Sequence, residues 1–259
     1  MKHLVKCVKG FYMSLGMFCG IPLPFHIWDE KYTSHMIASF PLVGLVIGTV
    51  WWLVAVLLFA LDMPIMLAAA TLSLAPFLIA GFIHLDGYMD TSDAMLSWRP
   101  LEDKLRILVD PRVGAFAVIM LGIVLIFQFS AMYAVVLNGE YFALVIAISA
   151  ISRCCSAFSI FCLRHMPQSN YASMLKQNIG MSHKIFVMIV AVSTIAVSFL
   201  YAGFLGLFVS AAVILGYMAA IRRVYRSFNG ISGDLLGYSL VISELCGLIA
   251  LAVLQGRLI

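Results

Sequence analysis

Long apolar runs dominate this chain, and short polar breaks divide them. A run of about 20 apolar residues wound as an α-helix matches the hydrocarbon core of a bilayer. Seven such spans are predicted, at 37–61, 64–84, 113–137, 141–163, 185–202, 204–221 and 235–254. Short turns join them in pairs at Asp62-Met63, Asn138-Gly139-Glu140 and Ala202-Gly203, and longer polar loops occupy 85–112, 164–184 and 222–234. The expected fold class is therefore all-α: a polytopic integral membrane protein with about seven transmembrane helices. No linker or internal repeat divides it, so residues 1–259 are expected to form one membrane domain whose three long loops carry the site. Ahead of the first span, Lys2, Lys6 and Lys9 share one helical face, and Leu4, Val5, Val8, Phe11, Tyr12 and Leu15 lie largely elsewhere on the wheel. No convincing cleavage site follows, so this segment reads as an amphipathic helix resting in the membrane interface rather than a signal peptide. A first spanning helix is the alternative.

Composition agrees with the pattern. The chain is 63% hydrophobic and only 11% charged, with a mean hydropathy of +1.06, more apolar than a soluble domain of this length needs. Fourteen of the sixteen Lys and Arg residues fall in the N-terminal region and the three long loops, on one side of the predicted membrane. The positive-inside rule places that side in the cytoplasm, and a bacterial inner membrane is the expected location. Because the net charge of +4 is spent on topology, the bilayer and not a nucleic acid is the expected macromolecular partner. The six cysteines form no Cys-x-x-Cys pair and read as small buried hydrophobes.

The candidate chemistry lies just past the second span, in His84-Leu85-Asp86-Gly87-Tyr88-Met89-Asp90-Thr91-Ser92-Asp93. Only 12 of 259 residues are acidic, and three of them fall within these eight positions, Asp86 to Asp93. In a helix Asp86, Asp90 and Asp93 stand at i, i+4 and i+7, on one face. Crowded carboxylates repel one another unless a cation lies between them, and several oxygen ligands suit Mg²⁺, which usually also holds substrate phosphates. The plainer reading is a solvated helix start. Nearby, His84 is a candidate metal ligand, phosphate contact or proton carrier, or simply an interfacial polar cap.

Two further blocks fall on the same side. Asp110, Arg112 and Gly114 close the loop that begins with the acids. Arg112 offers a fork that fits phosphate oxygens, and Gly114 lets the next helix start close to a ligand; an anchoring cation is the plainer reading of Arg112. Asn229-Gly230-Ile231-Ser232-Gly233-Asp234 can form an anion-binding or metal-supporting turn, although spacing alone favours an ordinary loop with Asp234 as the N-cap of the last span. The loop charges Arg99, Glu102, Asp103, Lys104 and Arg106 read as a solvated face. Arg153 and Glu244 lie deep in apolar segments, where ionisable groups are costly, and are expected to pair.

Taken together, these blocks resemble the cobalamin synthase family, the adenosylcobinamide-GDP ribazoletransferases. The resemblance runs from Ile21-Pro22-Leu23-Pro24 and Phe40-Pro41-Leu42-Val43-Gly44 to Glu244, and it is most specific at His84-Leu85-Asp86-Gly87, Asp90-Thr91, Asp93, Asp110 and Arg112-Val113-Gly114-Ala115-Phe116. Pro111, Ala117, Asn229 and Ser232 depart from the expected serine, glycine, glycine and threonine. The resemblance implies a Mg²⁺-dependent transferase that joins adenosylcobinamide-GDP to α-ribazole, or its 5′-phosphate, and releases GMP. It also implies that Asp86, Asp90 and Asp93 hold metal, that Asp93 or His84 accepts the hydroxyl proton, and that Asp110, Arg112, Gly114 and Asp234 serve substrate. A CDP-alcohol phosphatidyltransferase is the nearest alternative and a cation-coupled transporter a remoter one. Oligomeric state, including a homo-oligomer, is left open.

Overall fold

The computed structural model describes residues 2–167 and 179–256; Lys176, one of the fourteen counted cations, and Arg257 lie outside them. Among the described residues the order is α1 (Lys2–Phe18), a 3-10 turn (Glu30–Tyr32), α2 (Thr33–Ala38), α3 (Phe40–Ala60), α4 (Ile65–Ile79), α5 (Ile83–Leu96), α6 (Leu101–Ile107), α7 (Ala115–Asn138), α8 (Leu144–Cys162), α9 (Met181–Phe228) and α10 (Gly233–Leu254). The only β-type pairing among them is an isolated parallel bridge between His165 and Ile231. Five helices, α3, α7, α8, α9 and α10, are long and apolar enough to cross a bilayer, and α4 with α5 makes a sixth unit if the bent pair is taken as one. The chain is an all-α integral membrane protein.

Two of the seven predicted spans lie within α9. A straight helix of its 48 residues would reach about 72 Å, more than twice a hydrocarbon core. The backbone breaks at Ala202 (φ −130°) and Gly203 (φ 56°), the latter a left-handed conformation open to glycine. Beyond the break Gly206 packs onto the backbone of Ser198, a residue that an unbroken helix would hold about 12 Å away. The helix is thus a tight hairpin, turning where the sequence places its Ala202-Gly203 turn.

The second span departs from expectation. Residues 64–84 were predicted as one straight helix, but α4 stops at Ile79 and α5 leaves at 91° to it. Pro76 removes a backbone donor in the last turn of α4, and Gly81 (φ 73°) and Phe82 (φ 63°) are both left-handed, which no helix continues. The stretch 85–112, predicted as a loop, is largely helical because α5 and α6 occupy it.

The side assignment of the loops survives in the contacts. At one end Gly10 meets His35, Gly87 meets Asp234, Lys104 Nζ donates to Ser227 Oγ (3.0 Å), and Ile231 N–H donates to Arg164 O (3.0 Å). At the other, Tyr201 Oη donates to Glu140 O (3.1 Å), and Gln255 Nε2 donates to Ala134 O (3.1 Å). The amphipathic α1 leaves Leu4, Val5 and Val8 exposed and buries Met13, Ser14 and Phe18 near α2.

The span α8 sits in the middle, with 78% of its apolar window buried inside the protein against 28% for α7. Gly44 and Gly48 of α3 lie against its backbone at Ser149–Ala150 and Ile146, the small-residue packing that brings membrane helices close. Arg153 of α8 and Glu244 of α10 form the expected buried ion pair. Arg153 Nη1 also donates to Ser149 O (2.9 Å) and Ser149 Oγ (2.8 Å), and Ser152 Oγ donates to Glu244 Oε1 (3.1 Å). Removing one partner strands a charge in an apolar interior, which costs about 3–5 kcal/mol. Arg153→Met should therefore lower the thermal unfolding midpoint in a fixed detergent, and Arg153→Met/Glu244→Leu should recover most of the loss. A double variant no more stable than Arg153→Met alone contradicts this.

Candidate functional site

The helix α5 is amphipathic in a way set by its neighbours. Leu85, Gly87, Tyr88, Thr91, Ser92 and Ala94 are buried, leaving Asp86 exposed and Asp90 and Asp93 half-buried along the opposite face. It runs antiparallel to the first turns of α7 and α10. Gly237 packs on the backbone of His84, Gly87 on that of Asp234, and Gly114 on the carboxylate of Asp93. Tyr88 Oη donates to Met120 O (3.2 Å), and the Tyr88 and Tyr238 rings stack at 5.4 Å. Side chains at Gly87 or Gly114 would collide with Asp234 or Asp93. Glycine at both positions is thus what brings the three sequence blocks together.

The result is a patch of four carboxylates that feel one another. Asp90, beyond the apolar spans, is pushed up to about 6 by burial first and then by the charges of Asp86, Asp234 and Asp93. Burial, then Asp86, also raises Asp234. Among the described residues no three His, Cys, Asp or Glu side chains converge closely enough to hold a metal ion by themselves. Arg112 folds back on Asp110 at the exposed edge, where Asp110 Oδ1 accepts from Arg112 N and Nε (both 3.0 Å) and Asp110 Oδ2 accepts from Nη2 (2.8 Å). These bonds, the side-chain ones first, hold the Asp110 carboxyl down at about 2. The guanidinium is already in the two-pronged geometry that a phosphate requires.

The third loop differs from the ordinary-loop reading. Ser232, not Asp234, caps α10, with Ser232 Oγ accepting from Leu235 N–H (3.4 Å). That releases Asp234 to face α5. Asn229 is left-handed (φ 55°), a conformation that asparagine tolerates better than most non-glycine residues, so its replacement of glycine keeps the turn. Ser232 caps as threonine would.

His84 stands apart from the acids. Its imidazole lies beside Phe18 (6.2 Å between ring centres) and Phe40 (5.8 Å), and its Nε2 is buried without a hydrogen-bond partner. It lines a cavity of about 740 Å³ bounded by the end of α1, the starts of α3, α5 and α10, and by α6 and α8. Asp234 belongs to both places, lining the cavity and lying in the field of Asp86 and Asp90. The sequence reading missed the cavity. Glu102 and Arg106 are exposed, as a solvated face requires, and they also border the cavity beside Leu105. The sequence reading also missed Ser156, a fully buried wall residue whose hydroxyl has no partner. A signal was present, since Ser149, Ser152, Ser156 and Ser159 recur at helical spacing through an apolar span.

Comparison with known proteins fits this arrangement. A family model described as Cobalamin-5-phosphate synthase matches residues 10–252. The adenosylcobinamide-GDP ribazoletransferase of Clostridium perfringens (strain ATCC 13124) is 36% identical over 246 residues, covering 95% of this chain and 98% of the relative. That of Clostridium botulinum (strain Alaska E43) is 34% identical over 96% and 97% of the two chains, and that of Lachnoclostridium phytofermentans 31% identical over 98% and 97%. No solved structure matches. The matched region runs through every helix that frames the acidic patch, and the chain belongs to the cobalamin-5-phosphate synthase family.

Proposed function

We propose that this protein transfers the phosphocobinamide group of adenosylcobinamide-GDP to a ribose hydroxyl of α-ribazole, or of its 5′-phosphate, releasing GMP. The observation that carries the reading is the meeting of Asp86, Asp90, Asp93 and Asp234 beside Gly114 in a chain of this family. Family membership favours this transfer over the CDP-alcohol phosphatidyltransferase and transporter alternatives. By the positive-inside argument the patch faces the cytoplasm across an inner bacterial membrane, where the nucleotide substrate is available.

The donor set, anionic and all oxygen, fits a hard divalent cation. Mg²⁺ sites commonly combine one or two carboxylates with substrate phosphates and water, so a preformed protein cage is not required. Asp86, Asp90 and Asp93 would hold the ion together with the diphosphate of the substrate. Bound there, Mg²⁺ would neutralise charge on the transferring phosphoryl group and on the departing phosphate. Arg112, exposed and forked, would bind phosphate oxygens, with Asp110 keeping its fork oriented. Asp93 would accept the proton of the attacking hydroxyl as the new P–O bond forms and the bond to GMP breaks. Gly114 leaves the room beside that carboxylate. Asp234 would orient the acceptor between cavity and patch.

Asp86→Ala or Asp90→Ala should abolish GMP release from adenosylcobinamide-GDP plus α-ribazole while leaving a folded membrane protein; normal turnover in either variant overturns the assignment. Gly114→Ala, which displaces Asp93, should lower turnover by roughly tenfold or more, consistent with loss of a positioned base, and leave the unfolding midpoint nearly unchanged. Protons and metal compete for Asp90, so Mg²⁺ affinity should fall as pH drops through about 6. The stability sign is opposite. A raised carboxylate favours the fold below its ordinary value of 3.8, and that contribution is lost as pH rises through about 6. Metal-free protein should therefore be less stable at pH 7 in wild type than in Asp90→Asn, and Mg²⁺ should narrow the gap. Equal midpoints without metal contradict this.

A further inference from the structure

Transfer reactions of this kind need a place for the acceptor as well as for the diphosphate, and the cavity behind α5 is built like one. It measures about 740 Å³, within the range of small-molecule sites. Most of its wall is apolar, including Phe18, Phe40, Ile160, Met166, Leu236 and Leu240. Against that wall stand two buried polar atoms without partners, His84 Nε2 and Ser156 Oγ. Ser156 is 1% exposed, its hydroxyl lies near that of the buried Tyr217, and a ligand entering the cavity would supply the hydrogen-bond partner that neither hydroxyl has. The Phe18 and Phe40 rings are 4.4 Å apart and give a flat group an aromatic surface beside the imidazole.

We propose that this cavity binds the heteroaromatic base of the acceptor nucleoside, with Ser156 or His84 donating the hydrogen bond to its single free ring nitrogen. The assignment rests on the transfer reading for the identity of the acceptor. The polar balance selects the base. A benzimidazole-type base is an apolar fused ring with one unsubstituted nitrogen, and either Ser156 O–H or neutral His84 in its Nε2–H tautomer can donate to it. Guanine of the departing nucleotide presents O6, N7 and N2–H₂ together, which the two unpartnered atoms beside the aromatic rings cannot all match; it would also need Glu102, Arg106 or Asp234 from the rest of the wall, so GDP is the competitor that the test must include. Position agrees. Asp234 and Gly233 line the cavity, and Asp234 also borders the acidic patch, so a nucleoside with its base inside would present its ribose toward the carboxylates. His84 is then a binding residue, and the hydroxyl proton is left to Asp93.

The test is equilibrium binding of α-ribazole to the full-length protein in lipid nanodiscs, without metal or nucleotide. The comparison ligand is the indole riboside, in which CH replaces the free ring nitrogen. Wild type should bind α-ribazole about tenfold more tightly than the indole analogue, the scale of one well-made hydrogen bond. Ser156→Ala or His84→Leu should shrink that ratio, and Ser156→Leu, which puts an apolar branch where the base nitrogen would sit, should weaken binding of both. Equal affinity for the two ligands in wild type, or unchanged α-ribazole binding in Ser156→Leu, overturns the proposal, as does displacement of α-ribazole by GDP in the cavity. GMP release is assayed separately. Turnover with α-ribazole binding intact in Ser156→Leu defeats the pocket and spares the transfer reading, whereas nucleoside binding that follows Ser156 in a protein that releases no GMP does the reverse.

Discussion

Carboxylates repel one another, and this fold uses close helix packing at two glycines, Gly87 and Gly114, to hold four of them together. Asp86, Asp90 and Asp93 come from α5, and Asp234 is carried in by α10. Nothing in the mutual interaction of these groups favours the arrangement; burial and like charge both oppose ionisation of Asp90. The close approaches at Gly87 and Gly114 enforce it, because a side chain at either position would collide with Asp234 of α10 or with Asp93. Such a patch favours the approach of positive charge, which is the ground for the cation site proposed above.

Within the bilayer the same logic runs with opposite pairing. Arg153 and Glu244 are brought together with hydroxyls from Ser149 and Ser152, and the guanidinium lies 5.8 Å from the centre of the Phe40 ring. Phe40 in turn borders His84 and the cavity. One turn beyond Ser152 and Arg153, Ser156 opens onto that cavity. A column of polar groups on α8 thus links the membrane interior to the site. The break between α4 and α5 serves the same end, since a straight second span would have left the acids out in the loop rather than packed against α7 and α10.

How much of this was legible follows from what each signal measures. Bilayer thickness fixes run length, so the spans and their turns could be read from apolar runs alone, down to the Ala202-Gly203 hairpin inside α9. Charge asymmetry located the loops at one end, where Gly87 meets Asp234. Helical spacing put Asp86, Asp90 and Asp93 on one face, and the expense of isolated charge in an apolar run predicted the partnership of Arg153 with Glu244. The bend at Gly81-Phe82 was not legible. Apolar character continues through it and outweighed the two breakers Pro76 and Gly81, and the left-handed phenylalanine leaves no compositional trace. The cap was misplaced by two residues because Ser232 and Asp234 are both good caps and only the backbone decides between them. The cavity was invisible because its wall is drawn from six helices, each contributing residues that look like ordinary core.

The central claim is that a divalent cation bridges this acidic patch to the diphosphate of the substrate. Pulsed electron paramagnetic resonance with Mn²⁺ in place of Mg²⁺ tests it most directly, using protein carrying ¹³C-labelled aspartate and bound adenosylcobinamide-GDP. The account predicts hyperfine coupling of a single Mn²⁺ population to both substrate ³¹P and aspartate ¹³C, with the ¹³C coupling reduced in Asp90→Asn. Mn²⁺ coupled to phosphorus but to no aspartate carbon, or no bound Mn²⁺ when the diphosphate is present, would contradict it.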